Sequence, residues 1–292
     1  MRTLKTNSRT TFFTLIFLPA IVVVLFLTVY PVLNTIILAF FKYNYLSDER
    51  AFIGIRNFLT IGKDTVFQSA LLNTILFATV ATISEVLLGI LLALMFYGEF
   101  PGKRPIMITV IFPMMVSTMV ICAVWKVLYH YDIGLFNYIL RTLGLKPIGW
   151  LIDQNKALLS IILVDIWQWT PFAFLVMQAG LSSIPKEVFE ASSIDGAGYY
   201  RNLFLITLPI LSNQILLVVM LRTIDTFRIF GKVYALTQGG PGNSTETISY
   251  YIYREGFSYF NLGRASASAL YALVIISLIA VFYIKGIMKE EN

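Results

Sequence analysis

The chain has 292 residues, of which 58% are hydrophobic and only 13% are charged. Soluble domains are about 45–50% apolar and about 25% charged, and the mean hydropathy here is +0.77. These values exclude a disordered chain, a collagen and almost any water-soluble globular protein, and they indicate an integral membrane protein. The net charge of +6 is typical of loops that face anionic lipid. With one cysteine, Cys122, and one histidine, His130, we expect no metal site.

Six stretches of the chain are long and apolar enough to be membrane helices, because about 20 apolar residues cross a bilayer. None of them alternates with a period of two, which excludes a β-barrel. The sequence therefore predicts an all-α integral membrane protein with one transmembrane domain over residues 1–292. The predicted spans are residues 12–41, 67–97, 105–128, 157–181, 209–230 and 265–287.

The distribution of basic residues predicts the topology. Six spans place both termini on the same side of the membrane. Lysine and arginine are denser in the segments on the side of the termini than in the opposite loops, which favours a cytoplasmic location for both termini. The segments on that side are residues 1–11, 98–104, 182–208 and 288–292.

The loop over residues 183–208, between spans four and five, has helix signals that are unusual for a membrane loop. Ser183 suits an N-cap, Pro185 suits a first helical turn, and Gly196 and Gly198 allow a left-handed exit. A second short helix is predicted over 199–206. The loop is thus predicted to be a cytoplasmic helix-turn-helix, and one alternative is an amphipathic helix that only anchors the two spans.

The spacing within this loop resembles a motif of the inner-membrane permeases of ABC importers. That motif is Glu-Ala-Ala, three residues, Gly, nine residues, and then Ile-x-Leu-Pro. The chain departs from it only at Ser192, where serine replaces alanine, a small-for-small change. The matching and neighbouring positions, to which the resemblance assigns coupling to the ATPase, are Glu190, Ala191, Ser192, Asp195, Gly196, Ile206, Leu208 and Pro209.

Other segments resemble the carbohydrate-uptake branch of that family, the maltose and glycerol-3-phosphate type. They are "GLSSIP", "IDGA", "LTQGGPGNST", "IYREGF" and "GRASASA". The resemblance covers essentially the whole chain, and "GGP" is similar to the first of the two permeases. The large outer domain of the maltose first permease is absent, so the chain is similar to the compact members.

This resemblance implies a permease subunit that moves a sugar, an oligosaccharide or a sugar-like polyol phosphate inward by alternating access. The implied partners are a second permease of similar fold, two ATPase subunits that bind ATP and Mg, an extracytoplasmic solute-binding protein and the lipid bilayer. The chain itself is expected to bind no cofactor and no nucleic acid and to catalyse nothing. The implied location is the cytoplasmic membrane of a bacterium or archaeon.

Polar residues within the spans are candidates for the substrate path, since a charge at the bilayer centre costs about 2.5–3.5 kcal/mol on insertion scales. Planar polar groups bind sugar hydroxyls and aromatic rings stack on sugar C–H faces. The candidates are Arg222, Asp225, Asp165, Gln168 and Trp167. A structural role is equally open, either as an Arg222–Asp225 pair within one helix or as an Asp165–Arg222 pair between helices. Glu85 is expected to pack against the partner permease.

Two other functions compete with the importer. A proton-coupled secondary carrier would use Glu85, Asp165 and Asp225 as a relay, but the chain has no visible inverted repeat. An intramembrane enzyme would need a catalytic set, and no Ser/His/Asp arrangement can be assembled. Only the importer gives the Glu190 loop a purpose.

Overall fold

A computed structural model describes residues 4–47 and 49–290, which fall in two compact units. The first unit consists of the residues up to Lys63 together with Ile252–Ala272. The second consists of Asp64–Tyr251 together with the residues from Leu273 onward.

The first unit combines one long apolar helix with a β-hairpin. Its elements are α1 (Leu4–Ala39), β1 (Phe41–Asn44), β2 (Glu49–Phe52), α2 (Arg56–Gly62), a π-helix (Arg254–Ser258) and the start of α14 (Leu262–Glu290). The strands are antiparallel, with Phe41 opposite Phe52. The buried Asn57 amide donates to Ala39 O and to Phe41 O, each at 2.8 Å. This side chain therefore joins α2 to the end of α1 and to the start of the hairpin.

The second unit contains the remaining helices. They are α3 (Thr65–Met95), α4 (Lys103–Met115), α5 (Thr118–Leu128), α6 (Leu135–Thr142), α7 (Ala157–Ser182), α8 (Lys186–Ile194), α9 (Tyr199–Asn202), a π-helix (Leu203–Thr207), α10 (Leu208–Ile210), α11 (Ser212–Phe227), α12 (Gly231–Leu236), α13 (Ile248–Tyr253) and the end of α14. Asp64 caps α3, because its carboxylate accepts from the backbone N–H groups of Val66 and Phe67.

Glycines let α7 approach α3 and the break before α11 closely. A Cβ placed on Gly89 of α3 would lie 2.6 Å from Ala173 Cβ, and one on Gly180 would lie 2.7 Å from Leu211 Cδ2. Between lipid-exposed helices packing supplies much of the attraction, and small residues permit the close approach that it needs. The α7 helix is thus the centre of this unit.

Four helical segments are long and apolar enough to cross a membrane, and two bent helix pairs raise the number to six if each pair is one span. The four are Ile16–Ala39, Thr65–Met95, Ala157–Ser182 and Leu262–Tyr283. The bent pairs coincide with the third and fifth predicted stretches.

The third stretch, predicted as one helix over 105–128, is two helices that meet at 100°. Val116, between α4 and α5, has an extended backbone with ψ 139°. Pro113 lies within α4, so its missing N–H removes one helical hydrogen bond before this break. The fifth stretch, predicted over 209–230, begins as α11 only at Ser212, after a 62° bend.

The close approach at Gly89 makes a prediction about stability. Alanine favours a helix over glycine by about 1 kcal/mol, but the added Cβ would also lie 2.9 Å from the backbone of Ala173. Overpacking costs about 1–3 kcal/mol, so we expect Gly89→Ala to lower the melting temperature of the purified protein. Gly198→Ala is the control, because nothing lies within 4 Å of its new Cβ. Equal melting temperatures for the two variants would contradict this packing.

Candidate functional site: a buried charge cluster and the loop between α7 and α11

Four charged side chains from four helices meet inside the second unit. Glu85 lies on α3, Asp165 on α7, Arg222 on α11 and Lys232 on α12, and all four are buried. We call these four residues the charge cluster. It contains two cations and two anions, so its formal charges sum to zero.

The cluster is a continuous chain of ion pairs. Arg222 Nε lies 2.6 Å from Glu85 Oε2, and Arg222 Nη2 lies 3.0 Å from Glu85 Oε1. Nη2 also donates to Asp165 Oδ2 at 2.9 Å. Lys232 Nζ donates to the other oxygen, Asp165 Oδ1, at 2.5 Å. Such charge-assisted and bidentate bonds are the strongest that proteins make.

One aromatic ring further fixes the position of the arginine, and a nearby amide joins α7 to another helix pair. Its guanidinium carbon lies 4.9 Å from the centre of the Trp169 ring, which is a cation–π contact. Gln168 Nε2 donates to Val116 O at 3.2 Å, and so joins α7 to the break between α4 and α5.

The predicted substrate-path residues divide into two groups in the structure. Arg222, Asp165 and Gln168 are buried, whereas Trp167 is exposed and the Asp225 side chain is 60% exposed. Arg222 pairs with Asp165 across helices, which is the structural alternative raised by the sequence. It also approaches Asp225, with 3.8 Å between Nη1 and Oδ2.

Glu85 is placed differently from the prediction. It was expected to pack against a partner permease, but its side chain is fully buried within this chain. The reason is the guanidinium of Arg222, which takes both of its oxygens. A proton relay through Glu85 and Asp165 is also disfavoured, because both carboxylates are held by cations.

Lys232 is not among the predicted site residues because it lies just beyond the fifth predicted span, which ends at residue 230. Charge balance gives no signal for it, because lysines and arginines already outnumber aspartates and glutamates within the six predicted spans.

The loop between α7 and α11 is helical, as its composition indicates. The α8 helix covers Lys186–Ile194, and Gly196 has φ +74°, the left-handed conformation that glycine adopts without strain. Ser183 does not cap α8 as predicted. It ends α7 instead, where its hydroxyl donates to Gly180 O at 2.7 Å.

One face of α8 packs inward and the other is exposed. Phe189 packs against Tyr97, with 5.7 Å between the ring centres. Ser192 is buried, and its hydroxyl donates to Phe189 O at 2.8 Å. Glu190 is exposed, and Ile194 is 87% exposed. The remaining motif residues are exposed or half-buried. They are Ala191, Asp195, Gly196, Ile206, Leu208 and Pro209.

The second half of the loop departs from a regular helix. Instead of one helix over 199–206, α9 passes into the π-helix and then into α10. Pro209 has no N–H to bond the carbonyl of Leu205, so the chain cannot keep a uniform α-helical pattern there.

A metal site has no basis among the residues that the structure describes. No group of three or more histidine, cysteine, aspartate or glutamate side chains could hold a metal ion there.

Comparison with known proteins decides the family. Residues 85–287 match the family described as the inner membrane component of binding-protein-dependent transport systems. The chain belongs to this family. It is 34% identical over 274 residues to the trehalose/maltose transport system permease protein MalF of Thermococcus litoralis, a match that covers 93% of this chain and 92% of the relative.

Two further similarities agree with this assignment. The chain is 31% identical to the sn-glycerol-3-phosphate transport system permease protein UgpA of Agrobacterium fabrum, over 82% of each chain. Its fold is similar to that of a chain in a bacterial ABC transporter involved in the import of the acidic polysaccharide alginate. The TM-score is 0.87 at 22% identity, with 99% of each chain covered. The protein is therefore a multi-pass permease subunit of an ABC importer rather than an enzyme.

The charge cluster makes a prediction about the stability of this permease. Removing one partner of a buried ion pair typically costs about 3–5 kcal/mol, because the remaining charge stays buried without compensation. We expect Arg222→Ala to lower the melting temperature of the purified permease strongly. Arg228→Ala is the matched control, since Arg228 is exposed and ends the same helix. If both variants melted alike, the cluster would contribute little to the stability of the bundle.

Proposed function

We propose that this permease imports a carbohydrate by alternating access, and that α8 transmits the movement of an ATPase subunit to the spans. The observation that carries the proposal is the exposed face of α8 within the motif loop. In this proposal the chain has six spans and both termini are cytoplasmic. The substrate is a sugar or oligosaccharide, as the names of several relatives suggest.

The exposed face of α8 has the chemistry of a docking surface. Ile194 offers apolar area and Glu190 offers a carboxylate, while Phe189 holds the helix to the permease from the other side. A helix that inserts into a groove uses such apolar anchors, and a carboxylate adds a charge-assisted contact with a cation of the partner. Glu190, Ala191, Asp195 and Gly196 are the coupling residues on this surface.

The loop connects directly to two of the four helices that carry the charge cluster. The α7 helix enters the loop and α11 leaves it, and they bear Asp165 and Arg222 respectively. A displacement of α8 therefore acts on both helices, and a two-state rearrangement of them would open the path to alternate sides. Ser192, Ile206, Leu208 and Pro209 belong to this connection.

The partners follow from the function. A solute-binding protein delivers the sugar outside the membrane, a second permease of similar fold completes the path, and two ATPase subunits bind ATP and Mg. The complex lies in the cytoplasmic membrane of a bacterium or archaeon. Asp225 and Trp167 contact the substrate, and Arg222 reaches it only through Nη1. Asp165 and Gln168 lie behind them.

The coupling role predicts a specific defect for Glu190→Ala in the assembled transporter. Loss of the carboxylate contact should reduce sugar uptake into proteoliposomes at least several-fold, because a hydrogen bond to a charged group contributes about 1.5–3 kcal/mol. The melting temperature of the permease should not change, because Glu190 is exposed. The measurements are uptake, ATPase stimulation by the loaded binding protein, and copurification of the ATPase.

Glu99→Ala is the control for this variant, because Glu99 is an exposed glutamate that pairs with Lys103 between α3 and α4. It should leave uptake and stimulation as in the wild type. Normal coupling in Glu190→Ala would refute the docking role of α8.

The proposed topology predicts which side of the membrane each loop can be labelled from. In a Cys122→Ala background, a cysteine at Ile194 should react with a membrane-impermeant maleimide only in inside-out vesicles. A cysteine at Asp132, between α5 and α6, should react only in right-side-out vesicles. The opposite pattern, or labelling of both from one side, would overturn the topology.

A further inference from the structure

The positive charge of Arg222 is already balanced inside the protein. Both oxygens of Glu85 and one oxygen of Asp165 contact its guanidinium, and Lys232 balances the remaining charge of Asp165. All four side chains are at most 2% exposed. A solute beside α11 therefore meets an arginine whose charge is compensated, and not a free cation.

The orientation of Arg222 leaves one of its edges available. Nε and Nη2 are used by Glu85 and Asp165. Among the described residues Nη1 makes no hydrogen bond, and Asp225 Oδ2 lies 3.8 Å from it. Glu85 sets this orientation, because a bidentate pair fixes the plane of the guanidinium.

Asp225 carries the uncompensated charge beside the Nη1 edge of Arg222. Its side chain is 60% exposed, and its contact with Nη1 is longer than a hydrogen bond. The cluster sums to zero, so the cluster together with Asp225 carries one net negative charge. Arg228 lies one turn further along the chain. It is exposed and makes no ion pair with Asp225 in the described part of the chain, so it does not neutralise that carboxylate directly.

We propose that the path beside α11 accepts uncharged sugars and rejects anionic ones, and that Glu85 and Lys232 are positioning residues that set this selectivity. The proposal rests on the proposed function and specifies its substrate class. Glu85 and Lys232 do not touch the sugar. They act by balancing Arg222 and Asp165 and by directing Nη1 toward the exposed carboxylate.

Asp225 and the Nη1 edge of Arg222 together have the chemistry that neighbouring sugar hydroxyls require. A carboxylate only accepts hydrogen bonds and a guanidinium only donates them. One hydroxyl can donate to Asp225 while the next accepts from Arg222 Nη1. A phosphate or carboxylate in the same place has no proton to donate at neutral pH and is repelled by Asp225.

The size of the effect follows from Coulomb's law. Two unit charges about 6 Å apart, at an effective dielectric constant of about 20, change an affinity by roughly a hundredfold. The exposure of Asp225 reduces this through solvent and salt. We expect discrimination of roughly tenfold or more against a phosphorylated sugar.

The test compares sugars that differ only in charge. The probes are trehalose and maltose, which are uncharged disaccharides, and their 6-phosphates. Binding to the assembled transporter is measured in nanodiscs by saturation-transfer NMR, without the binding protein, so that only the permease path selects. The wild-type transporter should bind at least one uncharged disaccharide at least tenfold more tightly than its phosphate.

Three variants then change the charge in a defined way. Asp225→Asn and Glu85→Gln each remove one negative charge and should move the preference toward the phosphate. Glu85→Gln combined with Lys232→Met makes the cluster neutral again and should restore the wild-type preference. Arg228→Gln is the matched control on the same helix, and it should not move the preference toward the phosphate.

Each other outcome counts against the proposal in a way that can be distinguished. Equal binding of both members of a pair, or an unchanged preference in Asp225→Asn, overturns the charge selectivity and leaves the carbohydrate assignment intact. A double variant that folds but keeps the preference of Glu85→Gln overturns the role of charge balance. If no probe binds, the carbohydrate assignment falls as well. Asp225→Asn decides the question even if Glu85→Gln does not fold, because Asp225 is exposed.

Discussion

Charges inside an apolar bundle must compensate one another, and in this permease that requirement determines how four helices meet. The ion pairs of Glu85, Asp165, Arg222 and Lys232 join α3, α7, α11 and α12. Lipid supplies little hydrophobic attraction between helices, so directional bonds and close packing carry more of the stability than in a soluble protein. A register shift of any of these helices would leave a charge buried without a partner, which is why the cluster fixes one arrangement.

The α7 helix connects this cluster to the loop that carries α8. It carries Asp165 in its first half, meets α3 where Gly89 faces Ala173, and meets α11 where Gly180 faces Gln214. Close contacts between backbones and small side chains leave little room for sliding, since packed interfaces are not continuously deformable. In the proposed coupling, a force applied to α8 would therefore reach the cluster through a stiff element. A second arrangement of α7 and α11 would require new partners for Arg222.

The sequence predicted the apolar helices and the motif loop because both depend on local patterns. Hydropathy measures the length of an apolar run but not its direction, and so it missed the bends at Val116 and Leu211. The sequence offered Asp225 and Asp165 as alternative partners of Arg222. It could not decide between them, because it gives no direct information on which of Glu85, Asp165 and Asp225 lies closest in space. The structure shows that Glu85 and Asp165 bind it directly and that Asp225 remains exposed.

Family membership does not determine the charge of the solute. One relative is named for trehalose and maltose and another for glycerol-3-phosphate, and this chain is 34% and 31% identical to them. Identities so similar cannot separate an uncharged from an anionic substrate, and an arginine within a span would by itself suggest an anion. In this chain that arginine is compensated. A solute experiences the sum of the charges around it, and only the contacts of Arg222 with Glu85 and Asp165 reveal that this sum is not positive.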